Sequence, residues 1–258
     1  MPTPFRSGLT IAIVTLALGA VTLVGCDSAG SSNDGSDVEV GFSSTSTSST
    51  SSAASLAKSN HQLVVGGANG DTLRINEIGF IVTEVELEAD ADSLESDSAE
   101  FETERPFFVD LPLSSADPVP ALTDRVPPGR YNEFEFDVEG VDLEDDEVSN
   151  DLQNEINNWP SGASMVVVGR FDSNDKETKS FTAYLDAEVE AEIEMDRLFE
   201  VGGSDSPRAL TVNLRPSSWL SKNDGSPRNL SAPDYQNTDD PAELEIEIEQ
   251  ESEVEFDD

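Results

Sequence analysis

Residues 181–195 read FTAYLDAEVEAEIEM, and this stretch decides the fold class. Every odd position from Phe181 to Met195 is apolar, and every even position is polar or acidic. Side chains of a β-strand point alternately to opposite faces of a sheet, so the pattern predicts a long strand with one buried face and one solvent-facing side. Shorter segments at residues 134–138, 210–214 and 244–248 alternate in the same way.

The remaining segments complete a mainly β protein. In residues 72–88 the apolar positions change phase after Ile75 and again after Val82, which predicts β-bulges or a bend. Further strands are expected at residues 107–111 and 165–171. Only residues 145–159 place apolar side chains at spacings of three or four, as an amphipathic helix requires. The sequence therefore predicts an antiparallel β-sandwich with one helix, and a closed β-barrel is the alternative.

The amino terminus carries the features of an export signal. Arg6 precedes an apolar run at residues 9–24, which ends in Leu-Val-Gly before Cys26. A transmembrane anchor would need about 20 apolar residues, and this run is shorter. The sequence before Cys26 resembles the lipobox of bacterial lipoproteins. That resemblance implies that residues 1–25 are a signal peptide and that Cys26 carries lipid. The alternative is an ordinary cleaved signal beside an incidental cysteine.

This interpretation predicts an exported protein, held by lipid on Cys26 to a membrane of a bacterial envelope, with the leaflet left open. Residues 26–60 are rich in Ser and Thr and predict a flexible tether. Within them, Val38, Val40 and Phe42 alternate with Glu39 and Gly41, which would also fit a short strand. Residues 61–258 are predicted to form a single acidic β-domain.

The charge of the chain limits its partners. The formal net charge is −40, from 54 acidic and 14 basic residues, which argues against nucleic acid as a partner. Several predicted strands carry Asp or Glu along one whole face, and like charges opposite one another across strands are destabilising. High salt, bound Ca²⁺, or strands that are not neighbours would each relieve the repulsion. The composition resembles that of proteins from halophilic bacteria and favours salt.

Two acidic clusters are candidate Ca²⁺ sites, although the alternative for both is a solvated acidic loop. Neither matches the spacing of an EF-hand loop, and the glycine that such a loop needs is absent. The second cluster falls in a predicted hairpin turn. The candidate residues are Asp142, Glu144, Asp145 and Asp146 in the first cluster, and Asp172, Asn174, Asp175 and Glu177 in the second.

Several catalytic chemistries lack the residues that they require. Cys26 is the only cysteine and His61 the only histidine, so disulfides, thiol chemistry and a histidine-rich zinc site are not expected. A hydrolase based on a carboxylate pair is the remaining enzymatic option. Trp159 and Trp219 lie in apolar patterns and are predicted to be core residues rather than a sugar platform. The sequence favours a protein that is not an enzyme and has no cofactor, with Ca²⁺ as the one open exception.

A turn motif adds a resemblance to this picture. FFVDL at residues 107–111 is followed by VPPGRY at residues 126–131, and proline and glycine favour a turn before the next strand. The motif resembles domains of unknown function in bacterial lipoproteins, with prealbumin-like or immunoglobulin-like sandwiches. The resemblance implies no catalytic residues. The sequence as a whole favours binding, adhesion or structural support, with an envelope protein or polysaccharide as a candidate partner. A Ca²⁺-dependent carbohydrate or protein binder is the alternative.

Overall fold

The computed structural model describes residues 35–45, 62–89, 100–113, 118–143, 148–202, 208–248 and 253–256. Within them the chain is mainly β, as predicted, and its strands form two sheets consistent with a β-sandwich. In chain order the strands are β1 Ser36–Ser44, β2 Leu63–Gly66, β3 Thr72–Ala89, β4 Phe101–Thr103, β5 Phe107–Asp110, β6 Val119–Val126, β7 Gly129–Val138, β8 Met165–Asp172, β9 Thr178–Val201, β10 Arg208–Leu214, β11 Ala242–Ile248 and β12 Glu253–Phe256. Two short helices are α1 Asn150–Ile156 and α2 Pro216–Trp219, and a 3₁₀ turn spans Pro233–Tyr235.

The four-stranded sheet has the order β12-β10-β1-β6 and contains the main departure from the expected domain boundaries. β1 is a central strand, parallel to β10 and antiparallel to β6. Its side chains Val38, Val40 and Phe42 are buried. The prediction of a tether throughout residues 26–60 is therefore wrong for residues 36–44. Their alternating apolar side chains supply a buried face, which outweighs the Ser-rich composition around them.

The eight-stranded sheet is built around two long strands, β3 and β9. Between them, β7 and β8 lie end to end: β8 pairs with the first half of each long strand and β7 with the second half. Along the other side of β3 run β2, β5 and β4, and β11 lies parallel beside β9. The register of β3 shifts between Ile75 and Glu77 and between Val82 and Glu84, which confirms the two predicted irregularities.

The core fills the space between the apolar faces of the two sheets. Phe42 of β1 makes edge-on contacts with Phe80 and Phe136, at centroid distances of 5.9 and 5.5 Å. Trp219 of α2 packs against Phe80 and is buried, as predicted. The predicted turn before β7 is fixed by Tyr131, whose hydroxyl donates a hydrogen bond of 2.8 Å to the Pro127 carbonyl. Burial of this ring raises the pKa of Tyr131 to about 12.

The predicted helix at residues 145–159 is shorter in the structure. α1 begins at Asn150, because the Ser149 hydroxyl accepts a hydrogen bond of 3.2 Å from the Leu152 amide and so caps the helix. It ends at Ile156, before Pro160. Leu152 and Ile156 pack with Val148 against Ile81, so α1 covers part of the sheet face that is turned away from the main core. None of the helices in the described ranges is long and apolar enough to span a membrane.

Candidate functional site

The uncovered part of this outer sheet face carries carboxylates on three adjacent strands. The alternation predicted from the sequence places apolar residues of β3, β7 and β9 in the core and acidic residues on the opposite face. We name nine of these side chains the acidic array: Glu84, Glu86 and Glu88 of β3, Glu133, Glu135 and Asp137 of β7, and Glu190, Glu192 and Glu194 of β9.

The strand register aligns the acidic array into three straight rows across the sheet. The rows are Glu84–Asp137–Glu190, Glu86–Glu135–Glu192 and Glu88–Glu133–Glu194. Each carboxylate of β7 therefore lies directly between two others, on strands about 4.8 Å away. Of the three ways to relieve the repulsion, separation of the strands is excluded, because β3, β7 and β9 are direct neighbours.

Rows of like charge continue onto the flanking strands. Glu102 of β4 pairs with Glu86, which extends the middle row to four carboxyl residues. On the other side, Glu243 and Glu245 of β11 pair with Asp186 and Glu188 of β9. The outer face is therefore acidic across five adjacent strands, β4, β3, β7, β9 and β11. A cation that approaches it meets carboxylates from several strands at once.

Crowding changes the protonation of the central carboxyls. Partial burial, with repulsion from Glu135 as the next largest cause, raises the pKa of Glu86 to about 7. A hydrogen bond with Glu192, with partial burial as the next largest cause, raises the pKa of Glu133 to about 7. Partial burial also raises the pKa values of Glu84, Glu135 and Asp137, with neighbouring carboxylates adding to the effect. At neutral pH the array thus holds protons that isolated carboxyls would have lost.

One corner of the acidic array has the spacing of a metal-ligand group. Glu88, Glu133 and Glu135 each offer a carboxylate oxygen, and these oxygens lie within 4.8 Å of one another. Ca²⁺ takes six to eight oxygen ligands and accepts bidentate carboxylates, so three glutamates could supply up to six of them. Because Glu133 and Glu135 must lose protons to bind a cation, the affinity would increase with pH.

The predicted Ca²⁺ clusters have different surroundings. Asp142 is exposed, and Glu144, Asp145 and Asp146 lie outside the described residues, so a Ca²⁺ site at the first cluster stays a prediction. The second cluster does lie in a hairpin turn, between β8 and β9.

Two of the three acidic residues in the second cluster, Asp172 and Glu177, pair with basic side chains. Asp172 accepts a hydrogen bond of 2.8 Å from Thr178 and one of 2.9 Å from Arg74, and these bonds lower its pKa. Glu177 forms an ion pair of 3.4 Å with Lys179. The backbone N–H of Asn174 donates a hydrogen bond of 2.8 Å to the Asp71 carboxylate. These contacts indicate that the cluster holds the turn together.

The remaining predicted residues have simpler outcomes. Trp159 packs edge-on against Phe108 and Tyr184 beside α1, as expected of a residue in a secondary core. Tyr184, which the alternation placed on the acidic face, is partly covered by this contact. Cys26 and His61 lie outside the described residues, so their predicted roles stay predictions.

The Glu88–Glu133–Glu135 group was not foreseen from the sequence. Its members come from two strands, and only the strand register brings them together. Comparison of the chain with protein-family models, with curated proteins and with solved structures finds no match.

Proposed function

We propose that this chain is an exported lipoprotein of a bacterial envelope, held to its membrane by lipid on Cys26. We further propose that its β-sandwich is a non-enzymatic binding, adhesion or structural module. The lipobox-like sequence before Cys26 supports the anchor. The acidic array is the observation that carries the proposal for the domain, because it presents a polyanionic surface on a rigid sheet.

The acidic array also supports a particular working environment. It contains six directly opposed pairs of like charge, and each such pair costs roughly 0.2–1 kcal/mol when unscreened. A medium rich in cations removes most of that cost by screening. An exported domain meets such a medium directly. The envelope protein or polysaccharide proposed as its partner would approach through bound or condensed cations, or through basic groups of its own.

We assign the acidic array no hydrolytic role. Glycosidases hold their two carboxyl groups about 5–9.5 Å apart. Neighbouring strands space opposed side chains in much the same way wherever both carry acids, so the six opposed pairs of the acidic array do not by themselves indicate catalysis.

Lipidation gives the first test. Cells that express the protein would be grown with an alkyne-tagged fatty acid, and the protein would be purified and examined for the tag. We expect the wild type and the neighbouring control Ser28→Ala to carry the tag, and Cys26→Ser to lack it, because lipid attachment requires the thiol. Retention of the tag in Cys26→Ser would refute the anchor at this residue.

A Ca²⁺-dependent binder is the second candidate, and the Glu88–Glu133–Glu135 group favours it. Ca²⁺ at about 100 times its dissociation constant would stabilise the fold by about 2.7 kcal/mol. For a domain of this size, that is a rise of roughly 5–10 °C in melting temperature. The double variant Glu133→Gln/Glu135→Gln should lose this rise, whereas Glu243→Gln/Glu245→Gln on β11 removes the same charge and should keep it.

The readout is the melting temperature at constant ionic strength, with millimolar Ca²⁺, with Mg²⁺, and with a chelator. A Ca²⁺-specific rise that both double variants keep would place the ion elsewhere. Equal rises with Ca²⁺ and Mg²⁺ in all variants would indicate general charge screening and would exclude a Ca²⁺ site in this group.

A further inference from the structure

The point at which the chain enters the sandwich is defined by β1. Residues 27–35 are all that separates Cys26 from Ser36, the first residue of a central strand. A chain of this length spans at most about 35 Å, whereas one that reached to residue 60 could span on the order of 120 Å. The position of β1 therefore keeps the start of the fold within about 35 Å of the lipid-bearing residue.

Several strand ends meet where β1 begins. Ser36 pairs with Val126, the last residue of β6, and the turn that follows leads directly into β7. Gly129, the first residue of β7, pairs with Val201, the last residue of β9. We call this region the entry end. It consists of the paired residues at these strand ends, namely 36–38, 124–126, 129–131, 199–201 and 208.

The opposite end of the eight-stranded sheet is distant. β3 has 18 residues, which corresponds to roughly 60 Å at about 3.3 Å per residue. At that far end the β2–β3 and β8–β9 turns are joined by the hydrogen bond from the backbone N–H of Asn174 to the Asp71 carboxylate. Because the sheet is longer than the greatest possible span of residues 27–35, an anchor at Cys26 restrains the two ends very differently.

Charge separates the ends of the eight-stranded sheet from its outer face. Among the described residues of the entry end, three acidic residues are matched by three basic ones: Asp37, Asp124 and Glu200, and Arg125, Arg130 and Arg208. The far turns are balanced as well, with Asp71, Asp172, Asp175 and Glu177 near Arg74, Arg170, Lys176 and Lys179. An anionic headgroup surface would therefore repel the acidic array more than either end, and the short connection to Cys26 selects the entry end.

We propose that the entry end of the sandwich faces the membrane that carries the lipid anchor, so that the joined β2–β3 and β8–β9 turns are presented farthest from it. This inference depends on the proposed lipidation of Cys26. It assigns the bilayer surface as the partner of the entry end, and it leaves the acidic array along the side of the molecule, open to the medium.

Energy transfer from the protein to the bilayer tests this orientation. The full-length lipidated protein would carry one new cysteine, Pro128→Cys at the entry end or Asp175→Cys in the far turn, labelled with a donor dye. Because lipid blocks the Cys26 thiol, only the new cysteine reacts. The protein would be reconstituted into phosphatidylethanolamine and phosphatidylglycerol vesicles with an acceptor dye on the headgroups. We expect several-fold greater transfer from position 128 than from position 175.

Two controls separate the outcomes. Thirty Gly and Ser residues inserted between Ser32 and Asn33 should remove most of the difference, and Thr123→Cys on β6 is a second entry-end probe if Pro128→Cys disturbs its turn. Equal transfer from both ends, in protein that co-sediments with the vesicles, would refute the orientation alone. Failure of the purified wild type to carry lipid and to co-sediment would refute the anchor, and this inference with it.

Discussion

Phe42→Ala is expected to destabilise the sandwich by about 3–5 kcal/mol, as for other buried Phe-to-Ala replacements in protein cores. Phe42 is fully buried on β1 and contacts Phe80 and Phe136 of the opposite sheet. Its removal leaves a cavity between the two sheets, and a rigid β core closes such a cavity only in part. Urea denaturation followed by circular dichroism measures the loss as a lower midpoint with an unchanged slope.

Phe107→Ala is the matched control, because Phe107 is partly buried on the short strand β5. We expect that control to lose about 1–2 kcal/mol, in proportion to the smaller apolar area removed from water. Deletion of residues 27–32 should leave the free energy of unfolding unchanged, whereas deletion of residues 27–45 should prevent folding. A stable, cooperative fold after the larger deletion would contradict the central place of β1.

Sequence patterns predicted those parts of the fold that depend on local periodicity. The alternation in β9 and the phase changes in β3 each follow from side chains within one strand, and both are present in the structure. β1 was obscured because nine residues of alternating pattern lie beside a long Ser/Thr run. The energy that decides its state comes from Phe80 and Phe136, which are distant in sequence.

The acidic array shows the same limit at the level of the site. The sequence indicates which strands have an acidic face, but it does not give their order or register. Because a shift of one residue would turn every side chain of a strand to the other face, burial fixes which residues face outward. Burial does not determine which carboxylates lie opposite one another, because a shift of two residues would preserve the alternation of buried and outward-facing side chains. The three rows and the Glu88–Glu133–Glu135 group therefore emerge only from the structure.

Salt and acid are both expected to stabilise this protein, and the combined effect is the second large prediction. At low ionic strength the six opposed pairs of the acidic array cost about 1–6 kcal/mol together. Raising NaCl from about 0.1 M to 1 M shortens the Debye length from about 10 Å to 3 Å and removes much of this repulsion. We expect the melting temperature at pH 8 to increase on the order of 5–10 °C, measured by calorimetry.

Acidification should act in the same direction. The pKa values of Glu86 and Glu133 are raised to about 7 in the fold, so the folded state binds more protons than the unfolded chain between about pH 4.5 and 7. Their stabilisation is complete below the unfolded pKa and is lost as the pH rises through about 7. Asp172, whose pKa is lowered, has the opposite effect and loses its contribution as the pH falls below its usual range. At low salt we expect maximal stability near pH 5.

Charge-removing variants connect both effects to the acidic array. Glu86→Gln and Glu133→Gln should each raise the melting temperature at pH 8 in low salt and flatten its dependence on pH. Glu155→Gln removes the same charge from α1, outside the rows, and should leave the pH profile almost unchanged. If the three variants respond alike, the acid and salt effects belong to the net charge of −40 and not to the rows. A melting temperature that is insensitive to NaCl and highest near pH 8 would show that opposed carboxylates do not limit this fold.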